Sequence, residues 1–221
     1  MNILIDHFSA TSQVIFWLVF ALLLGAAAWR APWHQLKESG SLNILLGMVV
    51  ADMVIWMLKA GFAPGLSIHL LGATLLTLMF GWAFAILGIS LVLVAHTIND
   101  GGGWMALPLE IILLGAVPAI FSFALYRFVD SWLPNNFFIY IFLVAFFGAA
   151  LAAASAVFAT SLVQIASGAY SPDQVWHDYT RYALLIMFPE GFVTGMLMTL
   201  FVAYRPEWVS TFDDSRYLDG K

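Results

Sequence analysis

The sequence predicts an all-α, polytopic membrane protein, a single bundle of about seven transmembrane helices, and three observations carry that prediction. Hydrophobic residues make up 62% and charged residues only 10% of the 221 positions, against roughly 25% charged in a soluble domain. The apolar residues fall in runs separated by polar breaks, and the runs approach the ~20 residues that a bilayer-crossing helix needs. Those runs leave no room for a separate soluble domain, so positions 1–221 are read as one transmembrane domain.

The spans are expected at about 12–29, 42–62, 68–81, 82–98, 105–126, 137–166 and 181–204. The first follows a polar start without a basic residue, and no small-residue cleavage site stands out. It therefore reads as a retained helix and not a signal peptide. The second contains Asp52 and Lys59, seven apart, which share a helix face about two turns from one another. The third and fourth are short and meet at Gly81. The sixth exceeds what a bilayer requires, an excess that tilt or an extension into water absorbs. Its small residues from Gly148 to Ser155 suit close internal packing, whereas Ala21 to Gly25 in the first span suit either the protein's own bundle or a partner subunit. The seventh carries Pro189-Glu190-Gly191, where a local helix break would expose backbone groups beside a buried carboxylate. Glu190 is accordingly expected to act as a structural clasp on loop N–H groups in preference to binding a metal. Ionisable groups at membrane depth are costly and face a cavity or a partner, which singles out Asp52, Lys59 and Glu190.

Orientation follows from the basic residues, because cytoplasmic loops retain positive charge. With seven spans, Arg30, Lys37, Arg127, Arg205, Arg216 and Lys221 fall on one side, and only Lys59 and Arg181 on the other. The N-terminus is therefore expected outside and the C-terminus in the cytoplasm. That topology places His7, His69, His96 and His177, with Asp6, Asp100, Asp173 and Asp178, on the outer side, and His34 alone on the inner one. Imidazoles and carboxylates suit first-row divalent metals.

Other chemistries are disfavoured. The absence of cysteine excludes disulfides, thiolate zinc sites and thiol redox chemistry. The net charge of -5 comes without a basic patch, so nucleic acid is not an expected partner. There is no P-loop, dinucleotide-binding glycine turn, GxSxG elbow or HExxH pair, so an enzyme is not expected and any ATP hydrolysis belongs to another chain. A haem protein is a weaker alternative, since the outer histidines lie on different segments and form no clear bis-histidine pair.

The residues that could carry chemistry cluster between Ser67 and Trp104. His69 follows the turn Ala63-Pro64-Gly65 and opens an apolar helix, where exposed N–H groups favour the neutral, metal-competent imidazole. It reads equally as an interfacial histidine bonded to a loop carbonyl. His96 precedes the polar turn and suits an interface role or ligation. Asp100-Gly101-Gly102-Gly103 permits unusual backbone angles or is a plain loop. At the N-terminus, the α-amino group of Met1, with a pKa of roughly 7.7 in its unperturbed form, can bind a metal or belong to a disordered tip.

Over almost its whole length the chain resembles the cobalt/nickel-type permeases, CbiM/NikM-like substrate-capture S components of energy-coupling factor (ECF) ABC transporters. The likeness rests on His69-Leu70-Leu71-Gly72-Ala73, similar to the family's H-L-L-G-G, and on Asp100-Gly101-Gly102, similar to its D-G-G turn. Glu190-Gly191-Phe192-Val193-Thr194-Gly195 with Arg205-Pro206-Glu207 is similar to its E-G-x-x-T-G and R-P-E ending. The resemblance implies a multi-pass protein of the inner (plasma) membrane that captures Co(II) or Ni(II) as transported substrate, with no permanently bound cofactor. Its partners would be the lipid bilayer, a transmembrane coupling subunit and two cytoplasmic ATPase subunits. By resemblance the metal ligands include Met1 and His69. Asn2 stands where the family has its ligand histidine, Leu4 where it has proline, and Pro108-Leu109-Glu110 where it has a Gly-Ala-Asn run. Either His7 or His96 replaces the missing imidazole, or the substrate differs, or metal capture has been lost. The last case would make the chain a non-transporting accessory or assembly subunit of another membrane complex. Asp100, Glu190 and Asp52 are assigned structural or gating roles.

Overall fold

A computed structural model describes residues 5–37, 40–57, 60–63, 66–68 and 70–217. It is an all-α bundle with one short β-hairpin among those residues. The helices are α1 (Ala10–Arg30), α2 (Ser41–Met57), α3 (Ala73–Phe80), α4 (Trp82–Asn99), α5 (Leu107–Trp132), α6 (Phe137–Ala166), α7 (Pro172–Asp178), α8 (Ala183–Tyr204) and α9 (Asp214–Tyr217). The strands β1 (Ala60–Ala63) and β2 (Leu66–Ile68) pair antiparallel between α2 and α3.

Among the described residues, α1, α4, α5, α6 and the stretch Pro172–Tyr204 that ends in α8 are long and apolar enough to cross a membrane, and α2 is a shorter apolar helix. Over residues 68–81 the chain does not form one long helix. It ends β2, turns at Leu70–Gly72, and gives α3 only eight residues, about 12 Å of helix. Every residue of α3 is buried, as expected of a helix that is apolar all round. It packs against α4, α5, α6 and α8 and forms the centre of the bundle.

Helix ends explain the boundaries. Ser9 caps α1, its Oγ accepting from the Ser12 N–H at 3.2 Å. The last carbonyls of α3 are met by the segment after α8: Ser210 N–H donates to the Met79 carbonyl at 2.9 Å, and Thr211 Oγ donates to the Leu78 carbonyl at 2.7 Å. Thr211 Oγ also lies 2.7 Å from the buried Tyr140 hydroxyl. The C-terminal segment is pinned further where Arg216 and the Tyr217 hydroxyl donate to Asp130 at 2.8 and 3.0 Å.

Two helices carry π-type turns, Ile111–Ala116 in α5 and Tyr140–Phe146 in α6. In α5 the turn precedes Pro118, which has no N–H to continue the regular ladder. In α6 the wide turn meets α8. A Cβ on Gly191 would lie 2.7 Å from the Phe146 carbonyl oxygen, and one on Gly195 3.2 Å from the Phe146 Cβ. The two glycines thus let the α8 backbone seat on α6. The small residues Gly148, Ala149, Ala150 and Ala152 to Ala154 are buried in the same bundle, whereas Ala21, Leu22 and Gly25 of α1 are exposed.

Candidate functional site

The site is built around the turn that leads into α3. Gly72 adopts φ +68°, a left-handed conformation that a side chain would strain. A Cβ there would also sit 2.8 Å from the Asp52 Cγ. Glycine is therefore required twice over, by the turn and by the carboxyl group that abuts it.

Three side chains hold this turn. Glu190, 2% exposed in the middle of α8, accepts from the Leu71 N–H at 2.7 Å and from the Gly72 N–H at 2.9 Å. These are charge-assisted bonds if the carboxylate is ionised, worth ~1.5–3 kcal/mol each. Trp56 on α2 donates from Nε1 to the Leu71 carbonyl at a longer 3.4 Å. Asp52, one turn earlier on α2, presses its carboxyl against Gly72. Both backbone groups of Leu71 are thus tied, from two different helices.

Trp56 also links the turn to a second region. Its ring meets the His96 ring edge-on at 6.0 Å between centroids. His96 Nε2 lies 3.4 Å from Asp100 Oδ2, with the His96 side chain only 10% exposed. Asp100 ends α4 and gives way to Gly101 at φ +73°, so the chain turns immediately after the pair. His96, Asp100 and Glu110 line a cavity of about 320 Å³, and Ile5 from the N-terminal turn Ile5–His7 lines it too. Gln13 Nε2 fastens that N-terminal turn by donating to the Phe8 carbonyl at 3.2 Å.

Of the expected candidates, Met1 and His69 lie outside the described residues, as do Asn2 and Lys59. The structure brings His96 and Asp100 together and places Asp52 with Glu190 around the turn next in sequence to His69. His7 is exposed and does not line the His96 cavity. His177 is also exposed, 3.6 Å from Asp173 and 3.4 Å from Arg181. Among the described residues no group of three or more His, Asp or Glu side chains could hold a metal ion.

Glu110 was not among the expected site residues, yet it is 6% exposed and lines the His96 cavity. Its signal in the sequence is a carboxylate inside an apolar run, the same one that marks Asp52 and Glu190. Thr194, also buried, follows Glu190 by four residues and shares with it and Asp52 a second cavity of about 200 Å³ between α2, α3 and α8. The basic residues Arg30 and Arg127 lie around a further cavity with Gly81 and Thr211, where α3 passes into α4.

The fold is shared with solved structures. One, described as a truncated transition metal transporter, superposes with a TM-score of 0.78 at 18% identity, covering 92% of this chain and 99% of the other. A second, described as a transition metal transporter, gives a TM-score of 0.75 at 18% identity, covering 92% of this chain and 93% of its own. A comparison with curated proteins gives no significant match. Residues 4–208 match the family model CbiM, described as the cobalt uptake substrate-specific transmembrane region. That match spans nearly the whole bundle, from the N-terminal turn to the residues that follow α8, and the chain belongs to this family of metal-uptake membrane proteins.

Proposed function

We propose that the protein is the substrate-binding component of an ECF-type transporter, which captures Co(II) or Ni(II) on the outer side of the inner membrane. A transmembrane coupling subunit and two ATPase subunits would complete the transporter. The metal binds between the N-terminal segment and His69, with Met1 supplying its amine and His96 the candidate imidazole in place of the family's second-position histidine. In this reading the N-terminus is outside.

The observation that carries the reading is the fixed turn beside His69. Leu71 and Gly72 are anchored by Glu190 and Leu71 by Trp56, and a ligand on a rigid support loses less freedom on binding. Ile5 and His96 line a common cavity, which supports closure of the N-terminal segment over the same end of the bundle. Calorimetric titration of the purified protein with Co(II) and Ni(II), repeated on His69→Ala and His96→Ala, tests it. Binding that is lost in His69→Ala supports the site, and unchanged affinity overturns it.

A second reading is an accessory subunit that has lost the metal, favoured by Asn2 in the ligand position. Purification from the native membrane separates the two. A coupling subunit and ATPases favour transport, and an unrelated membrane complex without bound metal favours the accessory role.

A further inference from the structure

Arg30 and Arg127 differ from the other arginines at their end of the bundle. Arg205 lies 3.5 Å from Glu207, and Arg216 lies 2.8 Å from Asp130. Among the described residues neither the Arg30 nor the Arg127 guanidinium has an ion pair or a hydrogen bond. Arg30 is the last residue of α1 and Arg127 lies near the end of α5, yet both line one cavity of about 230 Å³. Gln35 lines it as well, and so do Gly81 and Trp82, where α4 begins. No Asp or Glu lines it among the described residues, so two positive charges border one polar space without a counter-charge. The start of α4, which Gly81 leaves without a side-chain cap, adds partial charge of the same sign, a smaller contribution than the arginines make.

The neighbouring aromatic residues set the depth of this cavity in a bilayer. Trp29 precedes Arg30 and is exposed, as is Trp33 shortly after it. Trp132 is exposed too and stacks on Phe128, the residue after Arg127, at 6.0 Å between ring centroids. Exposed tryptophans gather where a bilayer meets water, at the level of the lipid headgroups. Arginine stems at helix ends carry their charge to the same level. In the orientation expected from the basic residues this end faces the cytoplasm, the side on which acidic phospholipids give the membrane a negative surface.

We propose that Arg30 and Arg127 bind a phosphate group in this cavity, supplied by the headgroup of an acidic phospholipid. A guanidinium presents paired N–H donors that match phosphate oxygens, and basic pockets between transmembrane helices suit acidic headgroups. The space is several times the ~30 Å³ share of a water molecule. The lipid bridges the end of α1 to the end of α5, beside the junction of α3 and α4. His96 and Asp100 stand at the opposite end of α4, an 18-residue helix about 27 Å long. The phosphate site therefore does not depend on the metal-capture reading.

The test follows the unfolding temperature of the full-length protein in a neutral detergent at constant pH and ionic strength. Phosphatidylglycerol, phosphatidylcholine and inorganic phosphate are titrated separately. Phosphatidylglycerol is expected to raise the wild-type unfolding temperature by roughly 5–10 °C near saturation, and phosphatidylcholine by less. Arg30→Gln with Arg127→Gln is expected to lose most of that rise. Arg205→Gln, which removes an arginine at the same end but outside the cavity, is expected to keep it, which separates a site from general attraction between charges. Arg30→Gln alone, with about half of the loss, serves if the double variant does not fold. A rise with inorganic phosphate as large as that with phosphatidylglycerol identifies a soluble phosphate and overturns the lipid assignment. Phosphatidylglycerol no better than phosphatidylcholine overturns the proposal, and this is the result if a carboxylate of Glu38 or Asp219, which lie outside the described residues, or of a partner chain takes the arginines instead. An equal rise in the double variant and the wild type overturns it as well. Calorimetry with Co(II) on the same samples reports separately on metal capture.

Discussion

Glu190 and Leu71, 119 positions apart in the chain, are joined by a 2.7 Å hydrogen bond between a buried carboxylate oxygen and a backbone N–H. The second Glu190 oxygen takes the Gly72 N–H at 2.9 Å. One side chain of α8 thereby satisfies donors at the head of α3, an eight-residue helix too short to bring its own cap. Glu190→Ala strands the buried N–H of Leu71 and the partly buried one of Gly72 and is expected to cost roughly 2–5 kcal/mol. Glu190→Gln keeps one acceptor oxygen and is expected to lose less. Thermal unfolding in detergent micelles checks the order, and a Glu190→Ala protein as stable as the wild type would remove the clasp.

The same bonds make a prediction about metal. If His69 ligates, Glu190→Gln loosens the turn that follows it in sequence by weakening the hold on Leu71 and Gly72. Supports of this kind typically change metal affinity by about 10–100-fold when altered. Calorimetric titration with Ni(II) is expected to show weakened binding in Glu190→Gln. Equal affinities would place the ligand on a segment that the clasp does not hold.

Trp56→Phe separates two contacts of one side chain. The variant keeps an aromatic ring beside His96 but loses the Nε1 donor to the Leu71 carbonyl. At 3.4 Å that bond is weak, so the loss is expected at the low end of ~0.5–1.5 kcal/mol. Trp56→Ala removes a nearly fully buried side chain and is expected to cost about 3–5 kcal/mol. Nearly equal unfolding temperatures for the two variants would mean that the hydrogen bond, and not the ring, carries the contribution.

Much of the bundle was legible because hydrophobic run length is a local signal. The expected span at 181–204 is helix from Ala183 to Tyr204, and that at 82–98 is helix from Trp82 to Asn99. Residues 68–81 were less legible. Their apolar composition is the same whether they form one helix or a strand, a turn and a short helix, and what decides is Gly72 at φ +68° against Asp52. A charged residue hid the continuation of α5 to Trp132 beyond the expected 126, since Arg127 read as lying between two spans. The clasp was suggested by Pro189-Glu190-Gly191, but the identity of its donors depends on a contact between distant segments.

Gly72→Ala tests whether the turn or the carboxyl dominates. A left-handed non-glycine residue costs about 1–2 kcal/mol, and the new methyl group must also displace Asp52. Gly72→Ala in an Asp52→Ala background removes the second contribution. The double variant is expected to lose less than the sum of the single ones, a coupling that marks direct contact. Strict additivity in unfolding free energy would mean that the backbone angle alone matters.

Gly191→Ala sets helix propensity against packing. Alanine in a helix interior gains about 1 kcal/mol over glycine. At position 191 the added Cβ would sit 2.7 Å from the Phe146 carbonyl oxygen, a backbone atom that cannot rotate aside. Overpacking of this kind costs ~1–3 kcal/mol, so packing should win and the variant should be less stable than the wild type. Gly47→Ala is the control, because in α2 nothing lies within 4 Å of its new Cβ, and it is expected to stabilise by roughly 0.5–1 kcal/mol. Paired unfolding measurements should therefore give opposite signs for two identical substitutions. If both variants are stabilised, α8 does not rest on the wide turn of α6 through Gly191, and Glu190 must be positioned by other contacts.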